Sequence, residues 1–345
     1  HGVRWAVCAY DTQARICSSD VYMPITPMFH VHAWGMPYLS TMLGCKQVYP
    51  GRYEPATLLK LITTHKVTFS FFLPTILHML LSTPAVAGCD LSNWKVVIGG
   101  SALSKGMCKQ ALGHGINVFT GYGMSETCPI LTLALLKPEM LEGDENQQIT
   151  MRCRTGLPIS HVQLELFDPN GKAVPHDGKT TGEVVVRTPW LTQGYFKDEE
   201  KSKELWEGGW LHTGDIGYID TKGYLQITDR LKDVIKTGGE WISSLELEDI
   251  ISQHPGVSEV AVIGIQDQKW GERPVALVVP KPGLSKPLSA EDILAVIKAQ
   301  VDNGSLPKYG MPEKVLIVEQ IAKTSVGKIN KKQLRRDFTL NDLPV

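Results

Sequence analysis

The residues best suited to chemistry form one heptapeptide, Gly121-Tyr122-Gly123-Met124-Ser125-Glu126-Thr127. Its glycines allow backbone to approach a ligand, the tyrosine face can stack on a base, and a hydroxyl beside a carboxylate suits phosphate-bound Mg²⁺. The same residues also read as a tight strand-to-helix turn in which Ser125 and Glu126 simply cap the helix. Further polar clusters follow in order: Trp210-Leu211-His212-Thr213-Gly214-Asp215, Asp229-Arg230-Leu231-Lys232-Asp233, Lys236-Thr237-Gly238-Gly239-Glu240 and Lys323-Thr324-Ser325-Val326-Gly327-Lys328. Singly, each has a plain reading: Asp215 as a turn residue, residues 230–232 as a solvated charge run, the Lys328 loop as basic surface. Two stock phosphate motifs fail. Ala322 and Ile329 occupy the first and last defining positions of a Walker A loop, and Glu126 breaks a dinucleotide fingerprint.

The elements that must hold these residues change character along the chain. A β-branched run at 95–98 ends in Gly99-Gly100 and feeds a predicted helix at 103–112. A second run at 116–119 opens into Gly121-Tyr122-Gly123. Strands that end in glycine turns and lead into helices predict an α/β sheet with ligands at the strand ends. The apolar stretch 67–81 is broken by Ser70, Pro74 and His78 and is too short to span a membrane. It predicts a core strand followed by a buried helix. From about residue 155 the pattern is all-β, with short strands separated by Pro-Asn-Gly, Asp-Gly-Lys and Thr-Lys-Gly turns, which predicts a small barrel or sandwich. Beyond residue 230 a helix, two apolar strands, a helix and a last strand predict an independent α+β domain.

With 345 residues, at about 100–200 per domain, two domains are expected. The 35 basic and 36 acidic residues nearly cancel, so overall charge steers neither nucleic acid nor an acidic partner. The 7 cysteines include no CxxC pair, which excludes the usual zinc spacings and a disulfide framework and predicts a reducing, cytoplasmic location.

In this order, the motifs resemble the adenylate-forming superfamily of acyl-CoA synthetases, 4-coumarate–CoA ligases, luciferases and peptide-synthetase adenylation domains. The likeness runs from Pro27-Met28-Phe29-His30 to Gly327-Lys328, nearly the whole chain. Met28-Phe29-His30-Val31-His32-Ala33-Trp34-Gly35 and Lys269-Trp270-Gly271-Glu272-Arg273-Pro274 are most similar to medium-chain fatty acyl-CoA and methylthiopropionate-CoA ligases. The resemblance implies an α/β fold. Residues 1–230 would be the C-terminal part of a large adenylation domain, with parallel sheet layers and a β-barrel subdomain at about 155–229. Residues 231–345 would be a small mobile α+β lid.

The implied reaction has two halves: a carboxylate attacks the α-phosphate of ATP, and the thiol of coenzyme A then displaces AMP. Tyr122 would stack on adenine, with Gly100, Ser101 and Ala102 as the opposite wall and Gly121 and Gly123 framing the strand end. Glu126 would hold Mg²⁺, with Ser125 beside the α-phosphate. Asp215 would accept the ribose hydroxyls, supported by Arg230. Lys328 would bridge carboxylate and phosphate oxygens, and Lys236 would enter beside the adenylate. His30 and Trp34 would lie at the acyl pocket and its gate, and Lys232 at the hinge. Gly238, Gly239, Glu240 and Trp241 would line the pantetheine path.

Two departures stand out. Ala322 and Val326 replace the family's usual proline and serine or threonine. The Ser/Thr/Gly-rich loop ending in Pro-Lys-Gly, which in the family precedes the His30 segment, is not found. The expectation is a fragment lacking roughly the first third of a typical member and turning over ATP poorly alone. The expected partners are small molecules (ATP, coenzyme A and an aliphatic carboxylic acid), with no nucleic acid, no membrane span and room for a homodimer. Two rival readings are an adenylating enzyme with another acyl acceptor and a non-catalytic remnant that binds nucleotide or acyl-CoA.

Overall fold

A computed structural model describes residues 13–231, 233–238, 240–324 and 327–338. Lys232 and Gly239, expected at the hinge and the pantetheine path, lie outside them. The chain divides into two compact units, residues 1–213 with 217–227, and residues 214–216 with 228–345.

The first unit carries the strands β1 (Val21–Tyr22), β2 (Lys46–Gln47), β3 (Phe69–Phe72), β4 (Lys95–Ile98), β5 (Asn117–Gly123), β6 (Ile130–Leu133) and β7 (Leu157–Pro158). They form one sheet in the order β2-β1-β3-β4-β5-β6-β7. Pairing is parallel from β2 to β5 and antiparallel from β5 to β7. Helices Pro55–His65, Pro74–Leu81 and Lys105–Gly113 make the crossovers, the first capped by the Glu54 carboxylate and the third by the Ser104 hydroxyl. The apolar stretch divides at Leu73, where Pro74, with its preset φ and no N–H to lose, starts a helix after the wholly buried β3. Alternate β4 residues enter opposite cores. Val96 and Ile98 join Leu58, Leu77 and Trp94 on one face, while Val97 joins Tyr22, Phe71 and Phe119 on the other.

One ion pair fastens the sheet's interior. Buried Asp20 accepts from the Cys17 N–H (2.8 Å) and the Thr68 hydroxyl (2.6 Å), and lies 3.1 Å from Lys95 Nζ. Burial pushes this carboxyl's pKa up, but the three partners outweigh it and the net shift is downward.

The segment expected to open into a turn does not. β5 runs through Gly123, because Gly121, Tyr122 and Gly123 pair with Leu133, Thr132 and Ile130, with a register shift after Tyr122. A Cβ on Gly123 would stand 1.7 Å from the Pro129 carbonyl oxygen, so glycine serves this close strand pairing. Ser125–Thr127 then forms a single 3₁₀ turn and caps no α-helix.

The all-β segment is a sheet of β8 (Gln163–Phe167), β9 (Gly182–Arg187), β10 (Leu211–Ile219) and β11 (Leu225–Arg230), ordered β11-β10-β9-β8. Its turns are closed by aspartates. Asp168 accepts from the N–H groups of Asn170 and Lys172, and Asp177 from those of Lys179 and Thr180. At the β11 edge, Leu225 bridges to Gly156.

In the second unit, β12 (Ile235–Thr237), β13 (Glu240–Ile242), β14 (Val257–Asp267) and β15 (Gly271–Pro280) follow the order β13-β12-β15-β14. β16 (Lys314–Ile317) pairs parallel to β15. Helices Ser244–Ser252 and Ala290–Asp302 cover one face through Leu247, Ile251, Ile293 and Ile297, and Leu334 of helix Lys331–Asp337 packs on the other. Between strand and helices lies a buried polar chain. Asp229 accepts from the Ser244 N–H (2.8 Å) and hydroxyl (2.6 Å), Lys331 donates to the Ser244 hydroxyl, and Lys331 Nζ lies 2.8 Å from Glu248.

Candidate active site

In the first unit the segments 99–102 and 121–123 lie where parallel strands end, the place an open α/β sheet offers to a ligand. β4 and β5 are neighbours, so Gly99-Gly100-Ser101-Ala102 emerges beside Gly121. A Cβ on Gly99 would come within 3.2 Å of the Gly121 carbonyl oxygen and 2.8 Å of the Trp34 ring. Only bare backbone fits there. Gly100, Ser101 and Ala102 are exposed, and Tyr122 is half-buried against Leu131 and the β8–β11 sheet's core.

Trp34 stands edge-on to Phe71, with ring centroids 5.7 Å apart. Its backbone and that of Ala33 have φ of 58° and 49°. Left-handed backbone at two successive non-glycine residues is strained, by roughly 1–3 kcal/mol each, and persists only where surrounding contacts dictate it. His30 is half-buried, its N–H on the Pro27 carbonyl.

Glu126 is held at both ends. Its Oε1 accepts from Tyr195 Oη at 2.8 Å, and its carbonyl accepts from the Thr192 N–H at 2.9 Å. Ser125 is exposed beside it, and the buried Thr127 hydroxyl closes the turn onto Met124 and Pro129. Among the described residues no group of three or more His, Cys, Asp or Glu could cage a metal. A lone, part-exposed carboxylate fits Mg²⁺ all the same, because that ion usually arrives on phosphate oxygens and retains water. Tyr195 went unnoticed in the sequence. It lies 69 positions from Glu126 in an undistinguished Gly-Tyr-Phe stretch, and only folding discloses the pair.

The second unit brings together Asp215, Arg230 and Lys328. Asp215 is buried, with Oδ1 3.3 Å from Arg230 Nε. The Leu231 N–H reaches the Gly214 carbonyl at 2.9 Å, and the Arg230 N–H reaches its neighbour Asp229. Lys328 sits on a loop closed by the Thr324 N–H on the Lys328 carbonyl (2.7 Å), with Gly327 at φ 83°. Burial lowers the Lys328 pKa, the Arg230 charge lowers it further, and Asp215 pulls it partly back.

Lys236 lies on β12, exposed, with its N–H on the Glu272 carboxylate. β12 and β13 pair Lys236 with Trp241 and Thr237 with Glu240, so Gly238 is in the connecting turn. Gly238 has φ 60°, donates to the Trp270 carbonyl at 2.7 Å, and would set a Cβ 3.1 Å from the Trp270 ring.

The first unit thus combines an α/β sheet with a bare-backbone strand end, an aromatic neighbour and a tethered carboxylate. Comparison with known proteins supplies the family. Residues 2–196 match the family described as AMP-binding enzyme, and residues 246–328 match AMP-binding enzyme C-terminal domain. The chain belongs to the AMP-binding enzyme family. It is 40% identical over 326 residues to a long-chain-fatty-acid–CoA ligase of Thermus thermophilus, covering 94% of this chain and 59% of that protein. It is 39% identical over 324 residues to a 3-methylmercaptopropionyl-CoA ligase of Ruegeria lacuscaerulensis, covering 92% and 58%. Among solved structures, an amide bond synthetase of Marinactinospora thermotolerans matches with a TM-score of 0.85 and 27% identity, over 98% of this chain and 66% of that one. The chain thus spans about three fifths of the length of the curated relatives it matches.

Proposed function

We propose that this chain carries the nucleotide and lid machinery of an ATP-dependent, AMP-forming acyl-CoA synthetase acting on an aliphatic, medium-chain acid. The observation that carries the reading is the strand end at Gly99-Gly100 and Gly121-Tyr122-Gly123, floored by backbone with Trp34 against Gly99, and followed three residues after Gly123 by the tethered Glu126. In the first half-reaction a substrate carboxylate oxygen bonds to the α-phosphorus as the bond to pyrophosphate breaks. In the second, the coenzyme A sulfur bonds to the acyl carbon and AMP leaves. Such chemistry asks the protein for positioning and charge neutralisation and needs no covalent nucleophile.

In this reading Tyr122 stacks on adenine against residues 100–102, and Ser125 lies beside the α-phosphate. Asp215 and Arg230 serve the ribose, and Lys328 neutralises the oxyanions. Glu126 would hold a Mg²⁺, whose bound charge offsets that of the phosphates. His30 and Trp34 border the acyl chain, and Lys236, Gly238, Glu240 and Trp241 serve the thiol step. None of the six cysteines among the described residues is in a disulfide, which is compatible with the reducing, cytoplasmic location inferred from cysteine usage. No helix of the described residues is long and apolar enough to cross a membrane. Sedimentation tests whether the chain forms a homodimer.

The deciding experiment is acid-dependent ATP–pyrophosphate exchange by the full-length protein over a series of chain lengths, followed by product analysis with and without coenzyme A. Exchange without any thioester would favour a second reading, supported by the likeness to the amide bond synthetase: adenylation with a different acyl acceptor. No exchange with any acid would favour a nucleotide-binding remnant.

A further inference from the structure

A glutamate carboxylate has a broad, roughly two-fold terminal torsion, so a lone Glu on a short surface turn has no fixed oxygen to present. Glu126 is such a residue, yet it does not stand alone. Tyr195 Oη donates to its Oε1 at 2.8 Å, and the Thr192 N–H donates to its carbonyl at 2.9 Å. The segment that supplies both donors is itself pinned. Trp206 Nε1 donates to the Thr192 carbonyl at 3.0 Å, and the Tyr195 N–H donates to Ser202 Oγ at 2.8 Å. Gly194 lies so close to Ser202 that a Cβ would stand 2.7 Å from its Oγ. Helix Glu199–Leu205, capped by Asp198, thus carries a strap whose tip is one phenol hydroxyl on one carboxylate oxygen.

We infer that Tyr195 is a positioning residue for the cation site. By occupying Oε1 it fixes the carboxylate's rotation and presents Oε2 as a single-oxygen ligand. That arrangement suits Mg²⁺, which demands near-octahedral geometry and tolerates a two-oxygen bite poorly. The inference rests on the reading of Glu126 as a metal ligand, and the test separates the two. Tyr195 is 40% exposed, so Tyr195→Phe removes one oxygen from a surface ring and leaves the core intact.

The measurement is the affinity of the full-length protein for Mn²⁺·ATP, followed by electron paramagnetic resonance of the bound Mn²⁺, alongside calorimetric titration with metal-free AMP. Tyr195→Phe is expected to weaken Mn²⁺·ATP by about tenfold, as for a lost hydrogen bond to a charged group, while AMP affinity stays unchanged. Glu126→Gln should weaken Mn²⁺·ATP at least as much. If Glu126→Gln weakens it and Tyr195→Phe does not, the positioning role is overturned and the ligand reading stands. If Glu126→Gln leaves Mn²⁺·ATP binding unchanged, the ligand reading fails and takes the inference with it. Equal losses of Mn²⁺·ATP and AMP in Tyr195→Phe would mark a merely structural tyrosine and also overturn it.

Discussion

Asp215 presents a buried carboxylate 3.3 Å from the half-exposed guanidinium of Arg230, whose stem follows directly on buried Asp229. A carboxylate held this way has the acceptor capacity to take two hydroxyls at once. Asp215→Ala should therefore weaken AMP by roughly 10–100-fold, the range for hydrogen bonds to a charged group. Isothermal titration with AMP checks this, and affinity within twofold of wild type would remove Asp215 from the ribose.

Lys328 is the group expected to divide the two half-reactions. Lys328→Ala should slow acyl-adenylate formation about 10²–10³-fold, as for one lost transition-state donor. It should leave thioester formation from supplied acyl-adenylate nearly untouched. Single-turnover measurement of each half-reaction in the full-length protein is the test, and equal losses would contradict the assignment.

The same lysine should show itself in pH dependence. Burial and Arg230 lower its pKa, so it loses its proton at lower pH than a free lysine. Adenylation should decline on the alkaline side, below the range where ordinary lysines titrate. Lys328→Arg, which keeps its charge throughout, should lose that alkaline limb even if slower overall.

Asp20 tests the sheet. Removing it as Asp20→Ala leaves Lys95 and the Thr68 hydroxyl without their shared acceptor, at a cost of about 3 kcal/mol by urea unfolding. Its folded pKa is depressed, so its contribution is fully present above the unfolded value and is lost as pH falls through the folded one. The difference between wild type and mutant should accordingly shrink only in strong acid.

Glu248 behaves in the opposite sense. Burial raises its pKa, and Lys331 and the Val262 N–H only partly offset that. Lys331→Met strands this carboxylate, so unfolding should show a loss of about 3–5 kcal/mol at neutral pH. A carboxyl with a raised folded pKa stabilises the fold as it takes up a proton. The deficit should therefore narrow as pH falls through that pKa towards the unfolded value. A deficit independent of pH would mean that packing by the lysine stem, and not its charge, is what the fold uses.

Short-range sequence pattern dictates most of the local structure. Helix Ala290–Asp302 follows from its Ser289–Asp292 capping box and apolar spacing, and β14 and β15 from their β-branched runs, because these depend on neighbours within a few residues. The sequence also sets the order of the motifs, and with it the family. Long-range packing sets the geometry around the candidate site. Gly121-Tyr122-Gly123 reads locally as a turn and becomes strand because β6 folds back onto it. Arg230 reads locally as part of a solvated run, and only the family's motif order set it beside Asp215, whereas Tyr195 carries no sign in the sequence of its bond to Glu126. Spacing along a chain reports what one helix turn or one strand face can bring together. A hydrogen bond between residues 69 positions apart depends on how sheets and straps pack, and only the folded chain holds that information.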